Sequence, residues 1–316
     1  MPDRSLRSGL MGKWRQLTIA AAVLAVLTPL VGILGAPRGA RAEGDKPASP
    51  QYLGTEACTA KCHKKELAQH QASIHSKTDR DASATADKKG CEACHGPAGL
   101  HKQAVDNDDE NLQMEKPATM SSKQMTQVCA KCHATTVSVL KFVDTEHAAE
   151  GMTCRDCHVM HQDKPTDRKL KQPTNELCLS CHQSLKVQLK ANAHHPVLEG
   201  RLKCTDCHNP HGGSDPGMLK KDIDELCTSC HKEKQGPFVY EHSPNVDEME
   251  DGCLTCHAPH GTPVAKLVKL SGRGLCLQCH TDIATDGRHR ARPGSCWRSG
   301  CHIRLHGSQT DPLMRR

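Results

Sequence analysis

Twenty cysteines fall into ten pairs, and each pair is closed by a histidine directly after its second cysteine. Eight pairs read C-x2-C-H: Cys91 and Cys94 with His95, Cys129 and Cys132 with His133, Cys154 and Cys157 with His158, Cys178 and Cys181 with His182, Cys204 and Cys207 with His208, Cys227 and Cys230 with His231, Cys253 and Cys256 with His257, and Cys276 and Cys279 with His280. The first pair is wider, Cys58 and Cys62 with His63, and the last wider still, Cys296 and Cys301 with His302. Two thiols at the standard spacing can add across the vinyl groups of one haem, and the following histidine then lies beneath the iron as an axial ligand. Ten such sites use every cysteine and leave none for a disulfide. Zinc also binds C-x2-C pairs, but a tetrahedral zinc site has no reason to repeat a histidine at that position ten times in ten.

Of the 22 histidines, twelve lie outside these motifs, and ten of the twelve recur in a fixed order. A leading histidine precedes a first motif, a trailing histidine follows it, and a second motif closes the copy. Three copies are regular: 147–182, with His147 leading and His161 trailing; 195–231, with His195 and His211; and 242–280, with His242 and His260. Their first motifs lie 49 or 50 residues apart. A stretched copy at about 64–133 has His75 and His101, and a truncated copy at 289–306 has His289 and His306 around one motif. His211 is too close along the chain to Cys204–His208 to wrap round the same porphyrin, so it is expected to be the second axial ligand of a neighbouring haem. The expected second ligands are therefore His75, His101, His147, His161, His195, His211, His242, His260, His289 and His306, one for each of ten irons. His70 and His194 are left over as solvated histidines. Position in the repeat favours His195 over the adjacent His194.

Elements that could hold these residues must be short. Aromatic residues are 2% of the chain and the mean hydropathy is −0.61, too little apolar surface for a core of this size without help. Ten haems on residues 43–316 leave fewer than thirty residues per cofactor, so the porphyrins themselves must fill much of the interior. The expected fold is a multihaem cytochrome c, with short α-helices and irregular loops wrapped around an elongated haem chain and almost no β-structure. Asp222 with Glu225, and Asn175-Glu176-Leu177, read as helix starts before Cys227 and Cys178. The insertion from about 102 to 127 reads as a solvated loop.

Arg4, Arg7, Lys13 and Arg15 precede an apolar run from Leu17 to about Gly35, and Ala40-Arg41-Ala42 follows, the pattern of a secretory signal peptide over 1–42. The decahaem domain is then 43–316, opening on a short polar tether. That leader holds six of the 42 basic and one of the 36 acidic side chains, leaving 36 against 35, a net +1. Each ferric bis-histidine haem adds about one negative charge through its propionates. The loaded protein is then acidic, which excludes a basic nucleic-acid surface.

Bis-histidine ligation lacks the methionine that raises haem potentials, so low potentials are expected. The ten methionines hold no recurrent position, and Met160 beside His161 reads as packing. An enzyme needs an iron with an open sixth position. The histidine count opposes one, no other catalytic cluster stands out, and the widened last motif near His306 is where an open site is to be sought.

The strings CEACHGPAGLH (91–101), CTDCHNPHG (204–212), CTSCHKEKQGP with EHSP (227–244), CLTCHAPHG (253–261) and the closing HGS at His306 resemble the periplasmic decahaem cytochromes of the MtrA/DmsE type. The resemblance covers almost all of 43–316. It implies a haem wire that enters an outer-membrane β-barrel porin and passes electrons between periplasmic or inner-membrane cytochromes and an extracellular multihaem cytochrome or metal. It makes the ten selected histidines the distal ligands. A soluble periplasmic shuttle to a terminal reductase is the alternative, and a multihaem reductase a further one.

Overall fold

The computed structural model describes residues 51–315 apart from 110–113, 136–138, 165, 214–216, 243–250, 293 and 298–300. The expected signal peptide and tether lie outside the described residues. The described residues belong to one compact unit, 49–316.

Helices are short and many begin or end at a cysteine pair. They include Thr55–Thr59, Glu92–His95, Ser122–His133, Cys154–Cys157, Thr174–Cys181, Cys204–Cys207 and Ile223–Thr228. The two strands, Tyr240–Glu241 and Gly307–Ser308, pair antiparallel over two residues each. The expected balance of helix and loop with almost no β-structure is what is found. Among the described residues no helix is long and apolar enough to cross a membrane.

Few apolar side chains are buried: Ala98, Met125, Val139, Phe142, Leu179, Leu189 and Val268. Among the described residues thirteen large hydrophobic side chains are exposed instead, Val187 at 75% among them. Side-chain packing alone cannot offset the entropy of ordering a chain of this length. Polar latches do part of the work. Glu92, 2% exposed, accepts the backbone N–H groups of Leu53 (3.0 Å), Gly54 (2.7 Å) and Ala98 (2.8 Å), and so ties the first motif to the second.

Two local expectations need correcting. The insertion is structured at both ends, as the helix Gly99–Asp106 and the helix Ser122–His133. A reciprocal cap between Ser121 and Gln124 opens the second helix. The helices before Cys178 and Cys227 exist, but not for the expected reason. Asp222 makes no capping hydrogen bond, and Glu225 pairs with Lys221 at 2.6 Å.

Candidate haem-binding sites

Nine pairs of histidine rings face each other with centroids 6.0–6.5 Å apart. Every pair joins one motif histidine to one of the expected second ligands. Leading histidines face the second motif of their own copy: His75 with His133, His147 with His182, His195 with His231 and His242 with His280. Trailing histidines reach back across the copy boundary. His161 faces His95, His211 faces His158, His260 faces His208 and His306 faces His257, while His101 faces His63 of the opening motif. His211 is thus not opposite the nearest site in sequence; it passes over Cys178–His182 to the first motif of the preceding copy.

The separation is nearly constant while the interplanar angle runs from 14° to 79°. Direct ring stacking would fix the angle along with the distance. Two imidazoles on opposite sides of one metal, each about 2 Å from it, have centroids roughly 6 Å apart and remain free to turn about the shared axis. No cysteine is bonded to another in a disulfide. Among the described residues no three or more donors converge as zinc would require. The donor set fits haem c.

The attachment sites also follow one another in order. First cysteines lie close enough to interact in the pairs Cys58 with Cys91, Cys129 with Cys154, Cys178 with Cys204, Cys227 with Cys253 and Cys276 with Cys296. Second cysteines supply the alternate links by lying within electrostatic reach: Cys94 with Cys132, Cys157 with Cys181, Cys207 with Cys230 and Cys256 with Cys279. The ten sites therefore form an unbroken file in sequence order.

Local sequence builds the first site of each regular copy the same way. After the motif the chain turns back as a tight hairpin, so that Lys171, Lys220 and Lys269 each donate their backbone N–H to the carbonyl of Cys157, Cys207 and Cys256 at 2.9 Å. The turn presents a carbonyl to the motif histidine. Nδ1 of His158 donates to Arg168 (2.9 Å), His208 to Gly217 (2.7 Å), His257 to Lys266 (3.0 Å) and His302 to Leu313 (2.6 Å). That bond fixes the tautomer, leaves the Nε2 lone pair for a metal and raises its basicity. Burial holds the imidazoles of His75, His147, His161, His211, His242, His257 and His260 below the usual histidine range. His306 is pushed down to about 4, chiefly by burial and then by Lys234. Neutral rings are what ligation needs.

Between copies the backbone comes close. The trailing histidines His211, His260 and His306 are each followed by glycine. Gly261 has φ +152°, and a Cβ there would fall 1.9 Å from the carbonyl oxygen of Gln188, in the segment that leads into the copy before. Thr262 and Ala193 then exchange backbone hydrogen bonds of 2.8 and 3.1 Å, which sets His260 beside His195. Gly307 and Ser308 repeat the joint against Glu241 and Tyr240, beside His242.

The remaining histidines are engaged otherwise. His194 donates from Nδ1 to Ala191 O at 2.6 Å and from Nε2 to Glu199 Oε1 at 3.1 Å, and its pKa is raised by the Ala191 carbonyl first and Glu199 second. His70 contacts Asp79 at 2.9 Å. His289 and His302 are not brought together as the nine pairs are; His289 Nδ1 lies 2.6 Å from Asp286.

Three contributors were missed from sequence: the carbonyls of the hairpins, the side chain of Asn175, which accepts from Cys204 N (3.0 Å), and that of Asp224, which accepts from Cys253 N (3.0 Å). Signals existed. An apolar residue followed by lysine recurs eleven or twelve positions after the motif histidine, as Leu170-Lys171, Leu219-Lys220 and Val268-Lys269. A polar residue sits three before the second motif in Asn175 and Asp224.

This constellation has the donor chemistry of a multihaem c-type cytochrome. A family model described as a doubled CXXCH motif matches residues 146–187, 194–236 and 242–285. More particularly, the chain is similar to the multiheme cytochrome MtrA of Shewanella baltica (strain OS185), with 32% identity over 162 residues. That match covers 50% of this chain and 46% of the relative, so it spans about half the length of the curated protein it matches.

Proposed function

We propose that the chain carries ten covalently attached haems and works as an electron conduit between the periplasm and the outside of the outer membrane, with no substrate chemistry of its own. The observation that carries this reading is the unbroken file of attachment sites in sequence order, which offers one continuous path between two ends. Bound haem supplies one-electron redox chemistry, with the iron alternating between ferric and ferrous states.

The chain's residues hold that chemistry still. Paired cysteines anchor each porphyrin, and opposed imidazoles keep nine irons coordinated the same way in both oxidation states, which limits rearrangement. Hairpin carbonyls on Nδ1 make the first-site histidines stronger donors and favour the ferric state. The expected leader over 1–42 directs export, and the mature protein is periplasmic and associated with the outer membrane. A hydrophilic chain of short helices crosses a bilayer only inside another protein, so its partner is a β-barrel porin. Periplasmic or inner-membrane cytochromes meet one end, and an extracellular multihaem cytochrome meets the other.

Purification from outer-membrane extracts tests this. Co-purification of a β-barrel protein in stoichiometric amount is expected. Recovery of the cytochrome only from the soluble periplasm, without a barrel, would assign it instead to shuttling toward a terminal reductase.

A further inference from the structure

We propose that Lys169 holds a buried positive charge beside the second haem site (Cys91, Cys94) and the third (Cys129, Cys132), and that this charge raises the reduction potentials of those two irons. This rests on the reading that the cysteine pairs carry haem. The position is defined by the backbone. In each regular copy one hairpin residue gives its carbonyl to the N–H directly after the first motif histidine: Lys169 to Val159 (2.7 Å), Met218 to Asn209 (2.7 Å) and Leu267 to Ala258 (2.8 Å). All three are left-handed, at φ +57°, +54° and +60°. They are equivalent in place and conformation, and two of the three are apolar.

Lys169 is nevertheless the most buried of them, 8% exposed where Met218 and Leu267 are half-buried. Its side chain leaves its own hairpin, and Nζ donates to Ser73 Oγ at 3.1 Å, 96 positions back in the chain. The same hydroxyl accepts the backbone N–H of His75 at 3.2 Å. One oxygen thus fixes both the ammonium and the turn that carries His75, which faces His133 across the third site. The hairpin bond to Val159 sets Lys169 against the segment that carries His161, which faces His95 across the second site. Burial first, and the charge of Lys169 second, hold His75 below the usual histidine range. At His161 the same charge contributes less, after burial and His95.

Burial alone lowers the pKa of Lys169, with no carboxylate of the chain opposing it. A buried ammonium is costly without compensating negative charge, and haem propionates are carboxylates of the kind that compensate it. A ferric iron carries one more positive charge than a ferrous one, so a nearby ammonium repels the oxidised state more and favours the reduced state. The effect falls with distance. It is larger at the third site, where ammonium and ligand share one hydroxyl, than at the second. No bond forms or breaks and Lys169 stays protonated; the iron alone takes up the electron. Electrons on the file are thereby biased toward the end that opens with Cys58.

The test uses the intact haem-loaded protein. Lys169→Met installs the residue that the next copy has at 218, in a backbone conformation that methionine already adopts there. Mass spectrometry counts haems, EPR reads spin state, and paramagnetic NMR through a redox titration follows each haem. Haem count and spin state should not change. The midpoint of the His75–His133 iron should fall, that of the His95–His161 iron should fall less, and the sites from Cys227 to Cys279 should not move. Lys169→Arg keeps the charge and should keep both midpoints. Unchanged midpoints in Lys169→Met, an equal fall at every site, a new high-spin iron, or the same fall in Lys169→Arg would each overturn the proposal. Fewer than ten haems on the parent protein would instead overturn the ten-haem reading, and mass alone tells that case apart.

Discussion

First and second sites of the same copy are built from the same motif, yet they are held differently. At a first site the motif histidine is half-buried, its Nδ1 is tied to a hairpin carbonyl, and the ring opposite comes from the next copy. At a second site of a regular copy the motif histidine, His182, His231 or His280, is exposed, and the ring opposite comes from the same copy. A copy can therefore complete its second site alone, but its first site waits for the neighbour. The repeat is interlocked rather than merely stacked, and loss of one segment is felt at a distant site.

The joint between copies is the most sensitive place to break this difference. Gly261→Val puts a branched side chain where the Cβ already falls 1.9 Å from Gln188 O, at φ +152°. A loss of about 3 kcal/mol in unfolding free energy is expected from backbone strain and overpacking. Chemical denaturation should show it, together with high-spin signal at the His208 site. An unchanged midpoint would mean that the close approach is not required.

Single ligand removals separate the two kinds of site more cleanly. His260→Ala should leave the haem count unchanged and convert one iron to high spin, that of Cys204 and Cys207 in the preceding copy. His195→Ala should instead convert that of Cys227 and Cys230, while His194→Ala converts none. Assigning the altered haem by paramagnetic NMR distinguishes these outcomes. An effect of His260→Ala within its own copy would remove the interlock.

Smaller effects come from the residues that hold the frame. Asp224→Ala removes the acceptor for Cys253 N and should cost about 1 kcal/mol without changing spin state, read from a thermal melt with the optical spectrum in parallel. Lys266 sits at φ +64°, where the equivalent hairpin position of the preceding copy is Gly217 at φ +80°. Lys266→Gly should relieve the left-handed strain and gain about 0.5 kcal/mol. A loss of stability would show that the lysine side chain contributes there.

Much of this was legible in the residues. The covalent chemistry is local: two thiols and a histidine within five positions meet one porphyrin whatever the rest of the chain does. Periodicity then selected His75, His101, His147, His161, His195, His211, His242, His260 and His306, each of which faces a motif histidine. The insertion was harder to read, because the helices at its two ends draw on polar residues such as Gln103 and Ser121 that composition assigns to loops.

Which ring faces which lay beyond the sequence. His211 is three residues from its own motif histidine and 53 from His158, and nothing in local spacing says that the chain folds back over one site to reach another. That choice is made by glycines that let two backbones approach, by the Ala193–Thr262 and Tyr240–Ser308 pairings, and by hairpins that turn each motif histidine toward the gap. Sequence by itself determined the chemistry at each site. Only the tertiary structure decided the pairing, because opposed ligands are far apart along the chain and are brought together by contacts between copies.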